Sequence, residues 1–125
     1  MPQQLLHKPK TDLDLPVVRD ATANDVLSPP DEPILTQLVG VVKAFVISGD
    51  IAASGLKISG FIDPEENSKQ AVVTVETDLD VQAAMHAWSA LGRRVEEWLA
   101  DQPRAVRERV FAHFTTDFTW KRSAF

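Results

Sequence analysis

Cysteine and tyrosine are absent from this 125-residue chain. Without cysteine there is no disulfide framework, no thiolate metal site and no thiol nucleophile. The absence fits a reducing compartment, and a cytoplasmic location is the expectation. There is no GxSxG elbow, no P-loop, no GxGxxG and no HExxH spacing. The common sequence marks of nucleophilic, phosphate, dinucleotide and zinc chemistry are therefore missing. Long hydrophobic runs are missing too. The longest apolar stretch, Ile34 to Ile47, contains Thr36, Gln37 and Lys43, and is too short and too polar to span a bilayer. The start, MPQQLLHKPK, offers only Leu5 and Leu6 where a signal peptide needs an apolar core, so none is expected. Positive charge is in deficit, with 13 Lys and Arg against 18 Asp and Glu and a net charge of −5. Phosphate binding rests on Lys and Arg, so this balance argues against a nucleic-acid binder.

What is present suits one small domain. Residues 1–32 read as an extended or disordered arm. With the boundary residue Pro33 they hold six of the eight prolines, and they hold six of the eighteen acids and no aromatic residue. Such a stretch buries too little apolar surface to offset the entropy of ordering. Within it one short segment, "LDLPVV", has enough Leu and Val to dock as an edge strand or against a partner. A single domain is expected over 33–120, with a flexible C-terminus at 121–125.

In the domain, Ile34, Leu35, Leu38, Val41, Val42, Phe45 and Val46 follow the helical period. Asp31 can cap such a helix, and Pro33 suits its first turn. The β-branched "VGVV" also suits a buried strand, so helix and strand both stay open here. "GLKISGFID" and "QAVVTVETD" around "PEENSK" predict a β-hairpin with one buried face. A long amphipathic helix is predicted over 80–101. Val81, Met85, Trp88, Gly92, Val95 and Leu99 form its narrow apolar stripe, flanked by Ala84, Leu91 and Trp98. Gly92 costs a helix roughly 1 kcal/mol against alanine, which points to close approach by another backbone, in the hairpin or in a second subunit. A shorter helix from Pro103 to Phe114 follows. The alternation of Thr116, Phe118 and Trp120 is compatible with a final strand. The order arm-α-β-β-α-α, with an optional last β, segregates strands from helices and predicts an α+β fold.

The stretch "VETDLDVQAAMHAW" looks most like chemistry. Glu76 and Asp78 share a strand face, and Asp80 or Asp63 would complete an oxygen cluster for magnesium or manganese. The competing reading makes Asp80 or Asp78 the cap of the long helix. His86 lies six residues past Asp80, about 240° around a helix at 100° per residue, and cannot easily share a metal with it. His113 reads as a core-edge residue. A nucleic-acid surface would use Arg93, Arg94, Arg104, Arg107 and Arg109, but Glu96, Glu97, Asp101 and Glu108 interrupt the patch. Trp88, Gly92, Trp98 and Trp120 are the interface candidates. The sequence therefore favours a non-catalytic protein-binding module over an enzyme. The small acidic adaptors, chaperones, antitoxins and immunity proteins share this profile. A protein partner or a homodimer is expected, with no cofactor and no membrane. The alternatives are a carboxylate-based metal-dependent hydrolase or phosphate-acting enzyme, and a nucleic-acid-binding regulator.

Overall fold

The computed structural model describes residues 15–121. Strand β1 (Val17–Arg19) leads into a short 3-10 helix, Ala21–Asp25. Helix α1 (Asp31–Ser48), strands β2 (Gly55–Asp63) and β3 (Ser68–Glu76), and helices α2 (Val81–Ala100) and α3 (Arg104–His113) follow. Strand β4 (Phe114–Phe118) closes the order. The fold is α+β, with a four-stranded sheet ordered β1-β2-β3-β4. The central hairpin is antiparallel, and each outer strand runs parallel to its neighbour.

The hairpin alternates as its sequence requires. Leu56 and Ile58 of β2 and Ala71, Val73 and Val75 of β3 point into the core, where they meet Leu35, Leu38, Val42 and Val46 of α1. Lys57, Ser59, Phe61, Val72, Thr74 and Glu76 lie on the other face, half-buried or exposed. The helices thus cover one face of the sheet and leave the other open. Residues 31–48 are helical despite their β-branched content. The four buried apolar positions of α1 recur at steps of three and four, and burying that stripe outweighs the weak propensity cost. At the hairpin turn Asp63 accepts the backbone N–H of Glu65 at 2.9 Å, an Asx turn, and Asn67 takes the left-handed conformation (φ 56°) that asparagine tolerates.

Part of the stretch read as an arm is built into the fold. Leu15, Ala23 and Val26 are buried, and β1 adds to the hairpin through Leu56 N–H to Pro16 O at 2.9 Å and Asp20 N–H to Ile58 O at 3.0 Å. Averaged composition hid these anchors, since one fully buried leucine contributes roughly 1.5–3 kcal/mol whatever its neighbours are. Residues 1–14 and 122–125, the remainder of the expected arm and most of the expected flexible C-terminus, lie outside the described residues.

Asp31 has a different role from the cap expected of it. It is the first residue of α1, and its side chain reaches back three residues to accept Ser28 N–H and Ser28 Oγ–H, both at 2.9 Å. Ser28-Pro-Pro-Asp31 thus uses the acid half of a capping box. The other carboxylate contacts of Asp31 go to α3, as described below.

Candidate docking groove

Helix α2 carries two apolar stripes. One comprises Ala84, Ala87, Leu91 and Trp98, which are buried or half-buried and pack on the core. The other comprises Val81, Met85, Trp88, Gly92, Val95 and Leu99, spaced by alternating steps of four and three. At 100° per residue the second stripe lies about 90° around the axis from the first. Leu99 is buried and Val95 half-buried, but Met85 is 54% and Trp88 42% exposed. The stripe named from the sequence is therefore divided: Val95 and Leu99 join Ala84 and Leu91 on the core, whereas Val81, Met85 and Trp88 stand open.

The open stripe borders a groove between α2 and the β4–α3 unit. At its β4 end Val81, Met85, Trp88, Phe118 and Trp120 surround a depression of about 290 Å³. Trp120 lies past the last strand yet is held by its neighbours. Thr77 and Thr119 exchange hydrogen bonds (Thr77 N–H to Thr119 Oγ1 at 2.8 Å, Thr77 Oγ to Thr119 O at 2.7 Å), and Lys121 N–H donates to Leu79 O at 2.7 Å. At the α3 end Gly92, Val95, Leu99, Val110 and Phe111 border a second depression of about 220 Å³. Trp88 stands between the two, its Nε1–H donating to Thr116 O at 2.9 Å. Phe111 projects beside the groove and is 85% exposed.

The edge strand β4 has few open backbone groups in this groove. Thr119 N–H bonds to Val75 O of β3, so strand alternation turns the amide groups of Thr116 and Phe118 toward the free edge. Trp88 occupies Thr116 O, and the Asp117 carboxylate accepts Phe118 N–H at 2.9 Å. Strand addition at this edge would have to displace both, whereas apolar side chains entering the groove would displace neither.

Of the four interface candidates, the structure brings Trp88 and Trp120 together and places Gly92 on the same groove. Trp98 stands apart, packed against the core. The close approach expected at Gly92 is not made by this chain, since a Cβ built there meets nothing within 4 Å. Sequence reading missed Phe111, which sits on a short helix with four charged residues among its ten, and it did not name Val81 and Met85 as surface residues. The heptad-like spacing of the stripe beside a second apolar stripe was the signal that could have exposed the error.

The acidic candidates are dispersed. Glu76 pairs with Gly55 at one end of the hairpin and Asp63 with Ser68 at the other, eight residues away. That is about 26 Å at roughly 3.3 Å per residue. Asp78 stands between Glu76 and Asp80 in the β3–α2 connection, and Asp80 caps α2 by accepting Ala83 N–H at 2.8 Å. His86 is exposed on α2. Among the described residues no group of three or more His, Asp or Glu side chains could hold a metal ion. Asp80→Ala is expected to lower stability by about 1 kcal/mol through loss of the cap, read as a shift of the urea midpoint. An unchanged midpoint would remove the cap from the account of α2.

The arginines are mostly engaged. Arg94 pairs with Glu97 at 3.8 Å and Arg104 with Glu108 at 2.8 Å, while Arg107 Nη1 donates to Gln102 O at 2.5 Å. Arg93 is exposed. Arg109 forms a two-pronged pair with Asp31, Nε to Oδ1 at 2.7 Å and Nη2 to Oδ2 at 2.9 Å. This hydrogen bonding holds the Asp31 carboxyl well below the usual carboxylate range, helped by the Ser28 hydrogen bonds and opposed by burial. His113, itself buried, places Nε2 2.6 Å from Val26 O and 3.5 Å from Asp31 Oδ2. The cluster clasps the start of α1 and the chain before it onto α3. Ser28 bonds to the acid rather than to the imidazole, so its hydroxyl is not set up for attack by His113 as a base. Compared with known proteins, the chain matches no family model, no curated protein and no solved structure.

Proposed function

We propose that this protein is a non-catalytic protein-binding module and that its docking surface is the groove beside α2. One observation carries the reading: Val81, Met85, Trp88 and Trp120 are exposed around one depression beside α2, and Phe111 beside the next. Contiguous apolar surface of this kind is uncommon on a monomer and marks a binding site, whereas single exposed hydrophobics do not. Tryptophan, methionine and phenylalanine are the residues enriched at interface cores. The groove lies open along the helix, and a small ligand needs a cavity that buries most of its surface. A protein surface suits it better.

The test is a photo-crosslinking amino acid placed at Met85 or Phe111 in the full chain, with Thr74 on the open sheet face as the control. Crosslinked protein species are expected from positions 85 and 111 and not from 74. Equal yields at all three positions would sink the reading.

A further inference from the structure

We infer that the occupant of the groove is a second copy of the chain, presenting the same face about a two-fold axis with Gly92 at the closest approach; this rests on the docking reading above. Four features of the groove support it. The first is Gly92. Glycine is the poorest helix former after proline, yet it sits mid-helix, on the rim of the depression at the α3 end, where its lack of a side chain serves nothing within 4 Å in its own chain. A second backbone crossing there gives it a role. The second is shape. The face carries both a projecting side chain, Phe111, and a cleft between α2 and the β4–α3 unit. A two-fold contact uses each of them twice, because the same patch meets itself.

The third feature is area. The five exposed side chains present on the order of 500 Å² of apolar surface. A stable interface needs about 800 Å² per partner, a little over half of it apolar. The remainder is available from the polar rim of Glu96, Arg107 and Glu108, which border Phe111. The fourth is charge. The chain carries a net charge of −5, so two copies repel at long range. The rim of this face holds both signs, Arg107 beside Glu96 and Glu108, so it can meet its own copy without setting like against like.

Sedimentation velocity on the full chain from about 1 to about 100 µM tests this, in the range where standard-size interfaces begin to associate. A species of twice 13.8 kDa is expected. Met85→Glu and Phe111→Glu, both at exposed positions, are expected to sediment as monomers with unchanged circular dichroism. Gly92→Ala separates a docking role from a structural one. It is expected to raise the thermal midpoint of the monomer by about 3–5 °C, because alanine is the better helix former and has room. It is also expected to weaken the dimer at least tenfold. A wild-type chain that stays monomeric throughout, or a dimer untouched by Met85→Glu and Phe111→Glu, overturns the inference. Crosslinks from positions 85 and 111 to a protein of different mass, with a monomeric wild type, would remove the second copy and leave the docking reading standing. A monomer without crosslinks would remove both.

Discussion

Arg109→Met is expected to lower folding stability by about 3–5 kcal/mol, the range found when one partner of a buried ion pair is removed. Asp31 is 1% exposed and would lose its two-pronged partner. It would keep the two hydrogen bonds from Ser28 and the His113 imidazole at 3.5 Å, but no guanidinium. Asp31→Asn is expected to cost less, about 1–3 kcal/mol. The Arg109 side chain is already 42% exposed, and its charge can turn to solvent once the acid is neutral. This asymmetry tests the clasp, because a surface ion pair would give two small and similar losses. Urea unfolding with an unchanged slope measures it. A loss below about 1 kcal/mol in Arg109→Met would mean that the pair does not hold α1 to α3.

The same pair sets an acid response. The Asp31 carboxyl is held below its unfolded value, so the folded state binds fewer protons there. The stability this contributes is fully present above about pH 4, the unfolded range of aspartate, and is lost as the pH falls below it. Asp31→Asn should flatten that part of the stability curve. A curve identical to the wild type between about pH 4 and pH 2 would argue that other carboxylates carry the acid response.

Gly60→Ala is expected to lower stability by about 3 kcal/mol, at the upper end of what overpacking costs. A Cβ at Gly60 would lie 2.2 Å from Thr22 O and 2.9 Å from both Thr22 C and Val26 Cγ2. Two of these are backbone atoms and cannot swing aside. The 3-10 helix would have to lift from β2, loosening the Gly60 N–H bond to Thr22 Oγ1 at 2.9 Å and uncovering Ala23 and Val26. Hydrogen exchange should quicken at residues 21–27. Gly40→Ala, in mid-α1 with nothing within 4 Å of its Cβ, is the matched control. It is expected to raise stability by up to about 1 kcal/mol. If both substitutions shift stability in the same direction, the contact between the 3-10 helix and β2 is not what Gly60 serves.

Which parts of this molecule were legible beforehand follows from how far apart the cooperating residues lie. Whereas α1 stayed open between helix and strand until its stripe was packed, the hairpin, the capped α2, α3 and the alternation of β4 are each written within about twenty consecutive residues. Periodicity, turn chemistry and caps act over that range, so the sequence alone determines them. The sequence does not say which neighbour covers an apolar face. On α2 it supplies a broad apolar arc, and only packing decides that Ala84 and Leu91 go inward while Met85 and Trp88 stay out. Asp31 looks like an ordinary cap until α3, 78 residues on, brings Arg109 to it. β1 becomes a strand because β2 offers it an edge, and β4 runs parallel to β3 because two helices intervene and return the chain to its start. The candidate groove belongs to this second class. Its residues come from α2, α3, β4 and the segment after it, and no local pattern joins them; the sheet and its helices do, by fixing where each apolar surplus ends up.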